Sequence, residues 1–122
     1  MNVKSNVNAL AALDSLKALQ TGWDSYEAAP PDLFALKYAR DCLLNVAQAL
    51  GPSYANPGVG PTADAGVALV WRKKGQGAVD ALFTSAGGRY VVTGSDRGFI
   101  TKGVIRDPVS FAREVLKQYL AL

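Results

Sequence analysis

Between Val67 and Lys102 the hydrophobic residues recur at every second position, in short runs separated by glycine-bearing turns. No other feature constrains the fold of this chain as strongly. Val67, Leu69 and Trp71 alternate with Ala68, Val70 and Arg72, the pattern of a strand with one buried face. Lys74-Gly75-Gln76-Gly77 supplies a turn, and Val79, Ala81 and Phe83 then alternate with Asp80 and Leu82. Ser85-Ala86-Gly87-Gly88 turns the chain again, Arg89 to Thr93 make a third strand, and Ser95-Asp96-Arg97-Gly98 leads into a fourth, Phe99 to Lys102. Connections this short join antiparallel neighbours, so the segment predicts a meander. Val70, Leu82 and Val91 fall opposite the residues assigned to the core. The sheet is therefore expected to offer a second apolar surface, suited to a protein partner or to a homodimer.

The flanking segments have the helical period. Val7, Leu10, Leu13, Leu16 and Leu19 recur through a helix from about Asn6 to Gln20, and Gly22 sits where a left-handed residue would stop it. Pro31 and Asp32 suit the first turn of a second helix with Leu33, Leu36, Ala39, Leu43, Val46, Ala47 and Leu50 on its apolar face. Gly51-Pro52 ends that helix, and residues 52–66, rich in proline and glycine, read as loop. Asp107 and Pro108 are a good N-cap and N1 pair for a last helix carrying Val109, Ala112, Val115, Leu116, Tyr119 and Leu120. The order predicts an α+β fold in one domain over residues 1–122. Two N-terminal helices, an antiparallel three- to four-stranded meander and a C-terminal helix follow in turn, with the helices packed on one sheet face.

A chain of 122 residues buries enough surface to fold without disulfide or metal. No apolar run approaches the length of a membrane helix, and the first residues lack the apolar core of a secretory signal. With the single cysteine, Cys42, this predicts a reducing, cytoplasmic setting and no membrane. The net charge of +3 is unevenly spread. Residues 1–60 hold four basic and five acidic side chains, whereas residues 61–122 hold nine and five. The basic C-terminal half keeps nucleic acid open as a partner.

Two motifs stand out: Gly22-Trp23-Asp24-Ser25-Tyr26 followed by Ala28 and Pro30, and Pro61-Thr62, Asp64, Gly66-Val67, Leu69 and Trp71. Together they resemble an uncharacterised family of small bacterial and phage-associated proteins. That group has a leucine-rich helix, a Gly-Trp-Asp-x-Tyr corner, a second helix and a strand ending in Leu-x-Trp. The resemblance covers roughly residues 10 to 93 and implies the helix–helix–meander order, with no activity attached. Val70 stands where the group more often has an acidic or polar residue.

The chain contains no histidine, which removes serine–histidine and cysteine–histidine catalysis and histidine metal ligation. One cysteine builds no structural zinc site, and Cys42, beside Leu43 and Leu44, reads as a packing residue. Neither Gly58-Val59-Gly60 nor Gly75-Gln76-Gly77 continues into a phosphate-binding loop. No catalytic residue, cofactor or metal is therefore expected. Carboxylates survive this elimination. Asp24 and Glu27 form a candidate pair for acid–base chemistry or a small ligand, although Asp24 also suits a turn, with Trp23 and Tyr26 anchoring the corner. Arg72-Lys73-Lys74 beside Trp71 suggests nucleic acid, but the alternation puts Trp71 on the core face and Arg72 away from it.

The leading expectation is a non-catalytic protein-binding module, such as an antitoxin or a phage-encoded inhibitor of a bacterial defence complex. Its interaction candidates are Trp23, Asp24, Tyr26, Glu27, Val70, Arg72, Lys73, Lys74, Leu82 and Arg89. A nucleic-acid binder using the basic half and a carboxylate-dependent enzyme or small-ligand protein using Asp24 and Glu27 stay open beside it.

Overall fold

The computed structural model describes residues 3–16, 18–19, 30–51, 57–73, 75–96 and 98–120, with side chains from Ala9 onward. Helix α1 spans Val3–Leu16 and α2 spans Leu33–Leu50. Five strands follow: β1 (Gly58–Pro61), β2 (Val67–Lys73), β3 (Gly77–Thr84), β4 (Gly87–Thr93) and β5 (Phe99–Ile105). The C-terminal helix has three consecutive pieces, α3 (Pro108–Phe111), a π-helical turn (Ala112–Leu116) and α4 (Lys117–Leu120). The sheet is an antiparallel meander in the order β1-β2-β3-β4-β5, with helices packed on one of its faces. Among the described residues no helix is long and apolar enough to cross a membrane.

Pairing of Val67 with Phe83, Leu69 with Ala81 and Trp71 with Val79 aligns the alternation of β2 and β3, so their apolar sets share one face. Val92 joins them from β4, opposite Val79. Against this face α2 lays Ala35, Ala39, Cys42, Leu43 and Val46, each at most 1% exposed. The C-terminal helix contributes Phe111, whose ring meets Trp71 edge-on at 5.8 Å and Tyr90 at 5.7 Å. Aromatic side chains bury more area than any others, so these contacts seat the last helix on the sheet. Helix α1 adds Ala9, Leu13 and Leu16, and Arg40 of α2 reaches Asp14 of α1 at 3.4 Å on the surface.

The fifth strand corrects the reading of residues 52–66 as loop. Glycine and proline have no intrinsic preference for a strand, yet Gly58–Pro61 pairs along β2 from Val70 to Val67. Tertiary pairing builds β1, and an edge position tolerates Pro61 because its missing N–H is not needed there. Strand β5 also runs past Lys102 to Ile105. Gly103 does not end it, because the Tyr90 ring of β4 lies over the glycine, where a Cβ would sit 2.8 Å from the ring.

Helix α2 starts later than expected, after Pro31 and Asp32 instead of with them in its first turn. Asp32 is the N-cap, with Oδ1 accepting from the N–H groups of Phe34 at 2.8 Å and Ala35 at 3.3 Å. Pro31 therefore precedes the cap and is buried. Leu33, expected on the apolar face, is 75% exposed, while Ala35 and Cys42 take places in the core. At the other end Gly51, with φ of 56°, caps the helix through its N–H to the Ala47 carbonyl.

The second sequence motif acquires a physical reason in the β1–β2 turn. Thr62 N–H donates to the Gly66 carbonyl at 3.0 Å, Gly66 N–H donates to Thr62 Oγ1 at 2.9 Å, and Thr62 Oγ1 donates to Asp64. A Cβ on Gly66 would lie 2.6 Å from the Phe83 carbonyl oxygen, so the turn packs against β3 only with glycine there. Asp32 N–H donates to the Ala65 carbonyl at 2.8 Å and ties this turn to the start of α2.

Candidate functional site

The opposite face of the sheet is covered by no described element, and strand register sorts its side chains into rows. One row runs Gly60, Ala68, Leu82, Arg89 and Val104; the next runs Gly58, Val70, Asp80, Val91 and Lys102. A third holds Arg72, Ala78, Thr93 and Phe99. Val70, Leu82 and Val91 are half-buried only by their neighbours on the same face. Val104 and Phe99 are 64% and 63% exposed. Gly58 and Gly60 place no side chain beside Val70 and Ala68, which leaves a shallow groove of about 460 Å³ with Arg72 at its border.

The structure thus brings together four of the sequence candidates, Val70, Arg72, Leu82 and Arg89, on one surface. Lys73 is exposed at the end of β2, and its strand parity places it on the helix-covered side, away from Arg72. The basic run is therefore divided between two faces. Lys74 lies outside the described residues, as do Trp23, Asp24, Tyr26 and Glu27, so the corner motif and the carboxylate pair receive no structural account. Trp71 is 1% exposed and points into the core, as its phase predicts.

Sequence reasoning missed Asp80, Lys102, Phe99 and Val104 as members of this surface. Parity was available for Asp80 and Lys102, but Phe99 reaches this face only through the register shift between Val92 and Thr93, and Val104 lies past the expected strand end at Lys102. Arg72, Arg89 and Lys102 against Asp80 make the face cationic by two charges. Apolar and charged side chains thus alternate along the rows of this exposed face, a mixture suited to a contact surface.

Cys42 behaves differently from a reactive thiol. It borders a cleft of about 490 Å³ between α2 and the β3–β4 turn, but it is only 1% exposed. Burial pushes the thiol from 9.0 up to about 12, so it stays protonated at neutral pH. As pH rises above 9.0 the unfolded thiol ionises while the folded one keeps its proton, and stability falls. The stability difference between the native chain and Cys42→Ala is expected to shrink by about 1.4 kcal/mol between about pH 7 and about pH 10, read from urea melts at each pH.

Elsewhere Asp107 caps α3, accepting from the Val109 N–H at 3.2 Å and the Ser110 hydroxyl at 2.9 Å, and these bonds hold its carboxyl below the usual range. That carboxylate is committed to the helix start. Among the described residues no three cysteine or carboxylate side chains gather into a metal-binding group. Comparison of the chain with protein-family models, with curated proteins and with solved structures finds no match.

Proposed function

We propose that this chain is a non-catalytic, cytoplasmic protein-binding module whose contact surface is the open face of its sheet. The observation that carries this reading is the pair of rows in which Val70, Leu82, Val91 and Val104 lie among Arg89, Lys102 and Asp80, with Arg72 in the next row, on a face that no described element covers. Covering apolar surface is worth roughly 25 cal/mol per Å², and cations beside it steer the encounter and set its register. The resemblance to small bacterial and phage-associated proteins favours an antitoxin or an inhibitor of a bacterial defence complex.

Affinity purification of the tagged chain from the cell that encodes it is expected to yield one protein at near-equal amount. The double substitution Leu82→Asp with Val91→Asp is expected to abolish that complex while leaving a cooperative melt. A complex indifferent to both substitutions would overturn the reading. So would retention of nucleic acid in place of protein, with the steep salt dependence that phosphate contacts impose.

A further inference from the structure

The two edges of the sheet are unlike. Strand β1 is short, ends in Pro61 and has α1 packed beside it, all features that blunt an edge. Strand β5 has seven residues and no proline, and no described backbone group bonds to its outer side. Three of its side chains, Phe99, Ile100 and Val104, are large, apolar and 48–64% exposed. A row of unpaired N–H and C=O groups at strand spacing is matched by one kind of partner, another extended backbone.

Charge selects among extended partners. Lys102 is exposed on β5 and Arg89 is exposed on β4, opposite Val104, so both cations lie on the open face beside the free edge. Pairing β5 with a second copy brings like charges together. In two-fold registers centred on Thr101 or Gly103 the two Lys102 side chains are diagonal neighbours at roughly 7–8 Å, and centred on Lys102 they stand directly opposite. A strand with carboxylates at alternate positions meets the same cations favourably.

The other side of such a strand is also provided for. Between β5 and the C-terminal helix lies a cleft of about 230 Å³ bordered by Tyr90, Ile105, Phe111 and Val115. Its lining mixes these groups with Arg106, Asp107, Ser110 and Glu114, so side chains of an added strand that point to the helix side meet both apolar and polar partners. We infer that β5 accepts an extended acidic segment of a partner protein, with its carboxylates on the open face over Lys102 and Arg89. This inference rests on the protein-binding reading and specifies the chemistry of the partner.

Fluorescein-labelled acetyl-(Val-Glu)4-amide and acetyl-(Val-Lys)4-amide distinguish the possibilities by anisotropy. The acidic peptide is expected to bind about tenfold or more tightly than the basic one at low salt, and Arg89→Glu with Lys102→Glu is expected to reverse the preference. Because both side chains are exposed, the double variant keeps the fold, checked by its melt. Amide exchange of β5 is expected to slow when the acidic peptide binds, which charge attraction without strand addition does not produce. Equal binding of both peptides, binding of neither, protection confined to other strands, or a peptide-blocking dimer in light scattering overturns the inference. Tighter binding of oligo-dT than of the acidic peptide overturns it in favour of nucleic acid. If the peptides fail while Leu82→Asp with Val91→Asp still abolishes the co-purified complex, the edge is refuted and the open-face reading stands.

Discussion

Gly77→Ala is expected to destabilise the protein by at least about 4 kcal/mol, placing it in the extreme tail of single substitutions. Gly77 opens β3 with φ of 104°, a region that residues with a Cβ rarely enter. A Cβ there would also run into the Thr93 carbonyl oxygen and lie 2.8 Å from the Gly94 carbonyl carbon. Both obstacles are backbone at the end of the neighbouring strand and just past it, so β3 and β4 would have to part for the methyl group to fit. Gly75 in the same hairpin separates the two causes. Its φ is 81°, but a Cβ on it meets nothing within 4 Å. Gly75→Ala is accordingly expected to cost only about 1–2 kcal/mol, the strain of a left-handed alanine. Urea unfolding of both variants checks the contrast, and equal losses at the two positions would show that packing against Thr93 contributes nothing.

Trp71→Ala is expected to cost about 3–5 kcal/mol, because the indole is almost wholly enclosed and its removal leaves a cavity the sheet cannot close. Its edge-on contact with Phe111 makes the loss shared. Phe111→Ala is expected to fall in the same range, and the double variant short of the sum by about 0.5–1.5 kcal/mol. Strict additivity in this cycle would mean that the C-terminal helix is seated by something other than the Trp71–Phe111 contact.

Much of this arrangement was legible in the residues themselves. Alternation at Val67, Leu69 and Trp71 gave both the strand and its buried face, since a period of two leaves no other orientation. Asp107 and Pro108 marked the last helix, and the cap bonds to Val109 and Ser110 are those that such a pair supplies. The parity of Val70 and Leu82 was enough to predict an apolar outer face. What parity did not give was neighbourhood. Arg89 is beside Leu82 and Val104 because β4 lies between β3 and β5 in a particular register, and register depends on pairing across turns.

The elements that escaped the sequence share one cause. Gly58–Pro61 carries no strand signal of its own and becomes β1 by bonding to β2. The fourth strand was expected to stop at Lys102, but the ring of Tyr90 covers Gly103 and β5 continues to Ile105. Leu33 had the spacing of a core residue but is exposed, because the helix starts only after the Asp32 cap and Ala35 and Leu36 take the buried positions. Local pattern determined the α+β order, the meander and the two faces of its strands, because side-chain period and turn chemistry act within a few residues. Tertiary structure alone decided the length of the sheet, the unlike character of its two edges and the gathering of Arg72, Arg89 and Lys102 on a face that no described element covers. Those features depend on hydrogen bonds and contacts between segments far apart in the chain.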